Sequence, residues 1–331
     1  MRIAVLGAGA IGAYVGAMLA RSGADVSLIA RGAHCEAMRR NGLRVLGGTE
    51  DFTVRPPVTD DPADVGEVDA VFLGLKAHQY AGAGPLLEPL LGPATGVIAA
   101  QNGIPWWYFY KHGGPFEGRR IESVDPGGSV SAVIPPWRAI GCVVYASTEL
   151  EAPGVVRHIE GIRFPIGEPD GQASERATAF SQAMRAAGLK APVVSSIREH
   201  IWLKLMGNVV FNPLSALTHA TMAEICSHGP SRDTAMLVMT ETVQVAGALG
   251  CRPRFSVEQR LAGAAQVGDH KTSMLQDLEA GKPLELAALV TAVVELADLV
   301  GEPAPSLRTL HSAVELMELA RLRPAVVAGR L

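Results

Sequence analysis

The sequence predicts an α/β domain at the N-terminus followed by an all-α domain, with segments 1–193 and 194–331 as the two parts. At 331 residues, the chain has the length of two domains of about 150 residues each. Its first half alternates short apolar runs with helix-like segments, which is typical of parallel strands linked by crossover helices. Beyond residue 193, apolar residues recur at helical spacing along the rest of the chain.

Four apolar runs in the first half have the composition of strands that are buried on both faces. They are Ile3–Leu6, Val26–Ala30, Ala70–Leu75 and Val97–Ala100. Three further extended segments are expected to complete the same sheet with less regular strands. They are Ala139–Tyr145, Gly154–His158 and Ile162–Ile166. Ser174–Gly188 has the pattern of an amphipathic helix, and an S-x-x-E capping box at Ser196–Glu199 predicts the start of the first long helix of the second domain.

The turn after the first strand has the spacing G-x-G-x-x-G and leads directly into a helix-like segment. It consists of Gly7, Ala8, Gly9, Ala10, Ile11 and Gly12. In a Rossmann-like dinucleotide-binding domain, the first glycine permits the tight turn, the second lets the backbone approach the pyrophosphate, and the third lets helix and strand pack closely. The amide groups and the positive dipole end of the helix then hold the phosphates. Because strand, turn and helix occur in this order, the motif predicts a dinucleotide site.

Arg31 ends the second predicted strand, at the position that distinguishes the two nicotinamide dinucleotides. An Asp or Glu there accepts a hydrogen bond from the ribose 2′-hydroxyl of NAD, whereas an Arg accommodates the 2′-phosphate of NADP. We therefore expect NADP(H), the alternative being that Arg31 is a solvated residue at a strand end. Lys76 and Asn102 follow two other predicted strands, so they are expected on the same rim of the sheet, where doubly wound folds bind ligands.

Composition and charge argue against several other classes of protein. A net charge of −4 gives no general attraction to nucleic acid or to an anionic membrane. The four cysteines are scattered and the nine histidines form no metal-binding motif, so we expect reduced thiols, no metal site and a cytoplasmic location. The uncharged run Ile3–Ala20 resembles a signal peptide, but its glycines have the spacing of the dinucleotide turn, and it is assigned to the fold.

Three polar residues interrupt an otherwise apolar helix early in the second domain. Lys204, Asn208 and Asn212 recur at intervals of four and therefore share one helix face. Buried lysine and asparagine side chains need polar partners, so this polar stripe is expected to line a cleft. The alternative is chance placement of surface residues.

A second polar group follows nearer the C-terminus. Ser273 and Asp277 are four residues apart on one predicted helix, which Gly281 and Pro283 end. Glu285 is expected in the first turn of the next helix, where the helix dipole stabilises a carboxylate even without any further role.

Together these motifs resemble the 2-dehydropantoate 2-reductase (ketopantoate reductase) family along nearly the whole chain. Two distinctive blocks add to the glycine turn and its neighbours on the rim of the sheet. One runs from Lys204 to Thr218 (K-L-M-G-N-V-V-F-N-P-L-S-A-L-T), and the other is Ser273–Asp277 (S-M-L-Q-D) followed by Glu285. The resemblance implies NADPH-dependent reduction of a 2-oxo acid to a 2-hydroxy acid, with 2-dehydropantoate to pantoate in pantothenate biosynthesis as the first expectation.

The resemblance also implies a role for each candidate residue. Lys204 is the expected proton donor, and Glu285 is expected beside it and the cofactor. Arg31, Lys76 and Asn102 would join the glycine turn in holding the cofactor, and Asn102 would also touch the substrate. The residues expected to hold the oxo acid with Asn102 are Asn208, Asn212 and Ser273. The chemistry is coherent, because an ammonium group can stabilise and protonate the alkoxide that hydride addition creates, and a nearby carboxylate keeps that ammonium charged.

Three departures from the family pattern leave the substrate open. Met222-Ala223 and Val290-Thr291 stand where the family usually has Asn-Gly pairs. The segment 104–138 is longer than the family's loop and includes five consecutive aromatic residues, Trp106–Tyr110. This stretch is either a lid or reshaped pocket, or else a packed insertion or subunit contact.

The alternatives are therefore a paralogous reductase of another 2-oxo or 3-oxo acid, a non-catalytic NADP(H)-binding protein, and a flavin-binding protein. The apolar helices of the second domain could also supply the surface of a homodimer, although the same pattern is expected of a core.

Overall fold

The protein is described from a computed structural model, which covers residues 1–48, 50–252, 254–266 and 268–323. Within these residues the chain forms two compact units that divide between His200 and Ile201. The first unit is α/β and the second is helical, which confirms the predicted fold class. Among the described helices, none combines the length and the hydropathy that crossing a bilayer requires.

All the strands in the described part of the chain lie in the first unit. In chain order, and within the described residues, they are β1 (Arg2–Leu6), β2 (Asp25–Ile29), β3 (Leu43–Leu46), β4 (Phe52–Val54), β5 (Val58–Thr59), β6 (Val68–Leu73), β7 (Leu91–Ala99), β8 (Ala139–Cys142), β9 (Ser147–Ala152), β10 (Val155–Glu160) and β11 (Ile166–Gly167).

Seven of these strands form the main sheet, in the order β11-β8-β7-β6-β1-β2-β5. All neighbours are parallel except β8 and β11, which pair antiparallel. The strand order reverses direction between β1 and β6, because β2 lies on one side of β1 and β7 on the far side of β6. In doubly wound folds, the crevice at the carboxyl ends of the strands beside such a switch point binds ligands.

The expectation of a single sheet is wrong for one of the later segments. The strands β8 and β11 do join the main sheet, but β10 and its hairpin partner β9 belong to a separate four-stranded sheet, in the order β4-β3-β10-β9. In this second sheet β10 pairs parallel with β3, which precedes it by more than a hundred residues. The second sheet packs on the helix that follows the glycine turn, so it covers that helix from outside.

The helices are distributed over both units. In chain order, and within the described residues, they are α1 (Ala10–Arg21), α2 (Gly32–Asn41), α3 (Gly84–Leu87), α4 (Ser129–Val133), α5 (Glu175–Ala186), α6 (Ile197–Thr218), α7 (Met222–Ser227), α8 (Gly229–Ala248), α9 (Val257–Ala265), α10 (Ser273–Glu279), α11 (Ala292–Val300) and α12 (Pro305–Arg321). The predicted helix Ser174–Gly188 is confirmed as α5, with Ser174 as its N-cap, and α6 begins directly after Ser196 as predicted.

The core of the first unit lies between the main sheet and helices α1 and α5. Apolar side chains of β1, β2 and β6 alternate toward these helices, and Phe72 stacks on Phe180 of α5 with ring centroids 6.3 Å apart. Gly16 lets α1 pack closely, since a Cβ there would collide with Leu28 of β2. Burial of each such large apolar side chain contributes about 1.5–3 kcal/mol. The rim that carries the glycine turn is therefore attached to a rigid support.

In the second unit, helix α8 packs against α11 and α12, and α7 packs against α8 and α9. A buried carboxylate fixes one of these contacts. Glu241 of α8 accepts hydrogen bonds from the backbone N–H groups of Ser306 (3.0 Å) and Leu307 (2.8 Å) in the first turn of α12. These donors have no partner within their own helix, and a carboxylate also suits the positive end of the helix dipole. Glu241 thus joins α12 to α8.

Candidate functional site

The glycine turn has the close packing that its sequence predicts. Gly7 has φ +88°, a left-handed conformation that glycine adopts without strain. The N–H groups of Gly7 and Ala8 both donate to the carbonyl of Ile29, at 3.1 and 2.9 Å, which ties the turn to β2. A Cβ on Gly12 would fall closer than 3.0 Å to the Gly7 carbonyl oxygen. The first and third glycines are therefore required by the fold itself.

A glycine outside this turn packs directly against it and was not identified from the sequence. Gly74 directly follows β6, and its N–H donates to the carbonyl of Leu6 at 2.9 Å. A Cβ on Gly74 would meet the Gly7 carbonyl oxygen closer than 3.0 Å and would lie 3.0 Å from the Gly12 Cα atom. The sequence signal was a glycine placed at the end of a predicted parallel strand.

The second motif glycine differs, because its surroundings are open. Gly9 is the N-cap of α1, and a Cβ there would meet no atom within 4 Å. The first turn of α1 contains no acidic residue, so the positive end of its dipole is not neutralised locally. A turn with two glycines packed against the fold and one facing open space fits a pyrophosphate that must approach the backbone closely.

Arg31 is the N-cap of α2 and is exposed at the carboxyl end of β2. The helix that follows Arg31 is held by a contact that is remote in sequence. In the first turn of α2, the Nδ1 atom of His34 accepts a hydrogen bond of 2.9 Å from the N–H of Gly154, in the hairpin between β9 and β10. Burial lowers the pKa of His34, which favours the neutral ring that this hydrogen bond needs. His34 therefore connects α2 to the hairpin between β9 and β10, a contact that sequence reasoning missed.

Lys76 and Asn102 both lie at the same rim of the main sheet, because they follow the adjacent parallel strands β6 and β7. Lys76 precedes a short helical turn, and its N–H donates to Oε1 of Gln79 at 2.9 Å. Asn102 is half-buried and precedes Gly103, which has φ +82°. Gln101 donates from Nε2 to the carbonyl of Ile104 at 3.1 Å and so holds this turn. The first unit thus brings the predicted cofactor residues at the carboxyl ends of β1, β2, β6 and β7 onto one rim.

The aromatic stretch Trp106–Tyr110 is packed into the first unit rather than free as a lid. Four of its side chains are at most 4% exposed, and Trp106 Nε1 donates to the carbonyl of Ile134 at 2.9 Å. Arg198, at the start of α6, donates to the carbonyls of Tyr108 (2.8 Å) and Tyr110 (2.7 Å). The structure therefore supports the packed insertion, which anchors the beginning of α6.

In the second unit, the polar stripe occupies one side of α6. Lys204 and Asn208 are half-buried, whereas the intervening residues Leu205, Met206, Val209 and Val210 are buried. Asn212 is 4% exposed, and its Nδ2 atom has no hydrogen-bond partner among the described residues. A buried donor in this state costs about 1–3 kcal/mol, which a bound acceptor would recover. The three polar side chains thus share one side of α6, as their spacing predicts, and the most deeply buried of them has an unsatisfied donor.

Ser273 is the first residue of α10, and its side chain is exposed. The preceding Thr272 caps the helix by accepting from the N–H of Leu275 at 3.2 Å. The segment that leads into α10 also contacts the start of α7, since Met222 N–H donates to the carbonyl of His270 at 3.2 Å. Met222 therefore lies beside the segment that leads to Ser273. Its side chain is apolar, whereas the Asn that the family usually has there would offer a polar amide group.

Glu285 lies one residue before the next helical segment rather than in its first turn. The helix begins at Leu286 and opens with a π-helical turn, Ala287–Thr291. Glu285 is 6% exposed. Within the π turn Val290 is fully buried, and the Thr291 hydroxyl pairs with His311 Nε2 at 2.9 Å. A buried carboxylate followed by a π turn is an unusual local structure, and π turns are frequent at functional sites.

In the part of the chain that the structure describes, no three His, Cys, Asp or Glu side chains are grouped as metal ligands would be. The four cysteines are buried free thiols.

Two family models match the chain over most of its length. Residues 3–171 match the model described as ketopantoate reductase PanE/ApbA, and residues 196–318 match the model of the ketopantoate reductase PanE/ApbA C-terminal region. A 2-dehydropantoate 2-reductase of Mesorhizobium japonicum is 47% identical to this chain, over 97% of the chain and 99% of that protein.

Solved structures agree with these matches. A crystal structure of a ketopantoate reductase candidate from Ralstonia solanacearum MolK2 is 39% identical, with a TM-score of 0.90 over 97% of this chain and 98% of that one. The 2-dehydropantoate 2-reductase of Geobacter metallireducens GS-15 is 29% identical, with a TM-score of 0.84 over 96% and 100% of the two chains.

Proposed function

Because the chain belongs to the ketopantoate reductase family of oxidoreductases, we propose that it reduces 2-dehydropantoate to pantoate with NADPH, with Lys204 as proton donor. The single observation that carries this proposal beyond the family is the polar stripe on α6. It presents one ammonium group and two amides along a helix whose other faces are apolar, and it includes a buried donor that lacks a protein partner among the described residues.

The cofactor is proposed to be NADP(H) within a family of NAD(P)-dependent reductases. The glycine turn would hold the pyrophosphate through the backbone of α1, at the open position beside Gly9. Arg31 is exposed at the end of β2, where a guanidinium can bind a 2′-phosphate through paired N–H groups. Lys76 and Asn102 complete the rim, Lys76 as a second cation and Asn102 as an amide that can contact the nicotinamide portion.

The reaction needs a hydrogen-bond donor at the carbonyl oxygen of the oxo acid. When bound, NADPH supplies a hydride to the C2 carbon. The Lys204 ammonium donates to the carbonyl oxygen, stabilises the negative charge that develops there and transfers a proton to it. Asn208, Asn212 and Ser273 are uncharged, so they orient the substrate without competing for that proton. Glu285 is proposed to keep Lys204 in its charged form, since a nearby carboxylate favours the ammonium.

A second candidate function is the reduction of a different oxo acid by the same residues. Two observations favour it. Met222 lies beside the segment leading to Ser273, and Val290 is buried within the π turn after Glu285, so neither position offers an amide to a hydroxylated substrate. Such a site would suit a 2-oxo acid with a more apolar side chain.

The decisive experiment follows the loss of NADPH absorbance with a panel of 2-oxo acids that includes 2-dehydropantoate and apolar analogues. The proposal expects the highest kcat/KM for 2-dehydropantoate, and the second candidate expects it for an apolar analogue. NADPH binding without turnover of any panel member would leave only a binding protein and would overturn both.

A further inference from the structure

The short segment Lys282–Glu285 presents Glu285, and its beginning is fixed by the end of α10. Gly281 has φ +68°, and its N–H donates to the carbonyl of Leu278 at 3.0 Å. The next N–H, of Lys282, reaches back to the carbonyl of Asp277 at 2.8 Å. This pair of bonds is a Schellman motif, which needs a left-handed residue and so a glycine. The direction in which the chain leaves α10 is thereby set.

Two side chains of α12 hold the rest of the segment. Glu318 accepts a hydrogen bond from the N–H of Leu284 at 3.1 Å, and Arg321 donates from Nη2 to the carbonyl of Lys282 at 2.8 Å. Arg321 also donates to both carboxylate oxygens of Glu318, from Nε and Nη2, at 2.8 Å each. The Glu318–Arg321 pair therefore binds backbone groups on both sides of Pro283.

This pair differs from the surface ion pairs of the chain. Glu318 is 9% exposed, and Leu284 beside it is 8% exposed. Burial raises the pKa of the Glu318 carboxyl, but the hydrogen bonds from Arg321 and from Leu284 outweigh burial, and the resulting pKa is below the ordinary value. The carboxylate is thus charged at neutral pH, and its hydrogen bonds are of the stronger, charge-assisted kind. On the same helix, by contrast, Arg308 pairs with Asp298 at 2.6 Å between two exposed side chains.

We propose that Glu318 and Arg321 are positioning residues that fix the backbone presenting the Glu285 carboxylate, an inference that rests on the role proposed for Glu285. The peptide N–H bound by Glu318 belongs to the residue directly before Glu285. Releasing it lets the buried Glu285 side chain move, and a displacement of about 1 Å in a reacting group can cost roughly 100-fold in rate. The pair acts through Glu285 and touches no reacting atom itself.

The test compares Arg321→Met and Glu318→Gln with Arg308→Met, a matched control that breaks an exposed pair on the same helix. We call the Glu318–Arg321 pair the clamp. In Arg321→Met and Glu318→Gln, kcat is expected to fall by roughly 10- to 100-fold with unchanged NADPH affinity, whereas Arg308→Met keeps the wild-type values of both. Arg321→Lys, which keeps the charge but loses the paired N–H groups, is expected to recover part of the rate.

A double-mutant cycle with Glu285→Gln separates positioning from general destabilisation. If Arg321 acts through Glu285, Arg321→Met lowers kcat by no more than about two-fold in the Glu285→Gln background. An equal loss in both backgrounds overturns the proposal. Amide hydrogen exchange of the 282–286 peptide gives a readout that does not depend on turnover. Exchange is expected to accelerate in Arg321→Met and not in Arg308→Met. Unchanged exchange in Arg321→Met would show that the clamp does not fix this backbone, and this result would hold even if the wild-type protein reduced no 2-oxo acid.

Discussion

Replacement of Gly9 by alanine should weaken cofactor binding with little effect on folding. A Cβ at this position meets no atom within 4 Å, and the backbone angles of φ −75° and ψ −160° are accessible to alanine. The cost to the fold is the loss of a favourable N-cap residue, about 1 kcal/mol or less. The new methyl group would instead occupy the space through which we propose that the pyrophosphate approaches the backbone. We therefore expect the NADPH Kd to rise by roughly ten-fold or more, or about 1.4 kcal/mol.

Gly74→Ala should instead destabilise the fold, so it is a useful comparison with Gly9→Ala. Its Cβ would lie closer than 3.0 Å to the Gly7 carbonyl oxygen and 3.0 Å from the Gly12 Cα atom, whereas ordinary contacts begin at 3.4 Å. Both neighbours are backbone, which cannot rotate away as a side chain can, so β6 and the turn must move apart. Overpacking of this kind costs about 1–3 kcal/mol, and each kcal/mol lowers Tm by about 2–4 °C in a domain of this size.

The assay combines thermal unfolding without cofactor and fluorescence titration with NADPH. Gly82→Ala is the control, because a Cβ there also meets nothing within 4 Å and the residue is distant in sequence from the turn. We expect a Tm close to the wild-type value with weak NADPH binding for Gly9→Ala, and a lowered Tm for Gly74→Ala. Wild-type NADPH affinity in Gly9→Ala would refute the assigned position of the pyrophosphate.

Substitutions at three other positions test the site and the fold. Lys204→Ala should lower kcat by about 10²- to 10⁴-fold while NADPH titration shows unchanged affinity, so near-normal turnover would remove its assigned role. Arg31→Ala should weaken NADPH by roughly ten-fold and leave NADH affinity unchanged, whereas equal losses for both would contradict recognition of the 2′-phosphate. Glu241→Ala deprives the N–H groups of Ser306 and Leu307 of their acceptor. Urea unfolding should therefore show a free energy of unfolding that is lower by about 2–4 kcal/mol, and Glu241→Gln should lie between this variant and the wild type.

Local patterns were sufficient to predict the elements that carry the glycine turn and the polar stripe. A strand, a glycine turn and a helix adjoin one another in sequence, so their order alone predicts β1, the turn and α1. The polar stripe is likewise a property of one helix, since positions four apart share a face whatever packs against it. The fold class followed from the same local patterns, because β-α alternation and helical periodicity are both read within short windows.

The second sheet could not be predicted in this way. Its strand β3 is four residues long and β4 is three, and the parallel partner of β3 is β10, far along the chain. Pairing between distant short strands leaves no periodic signal within any single window. For the segment that forms β10, the sequence therefore predicts the extended structure correctly but the wrong sheet.

The same limit explains why residues that hold the glycine turn and its neighbours are harder to identify than those that are proposed to carry the chemistry. Gly74 follows β6 and Gly7 follows β1, and a Cβ on Gly74 would collide with the Gly7 carbonyl oxygen. Position 74 requires a glycine only because β1 and β6 are neighbours in the sheet. His34 and Gly154 meet in the same way. Reactive side chains are recognisable by type and spacing, whereas their supports are ordinary residues whose role comes from a distant partner. A glycine directly after a parallel strand next to a dinucleotide turn can nevertheless indicate such a contact. The backbone there approaches the turn so closely that no room is left for a Cβ.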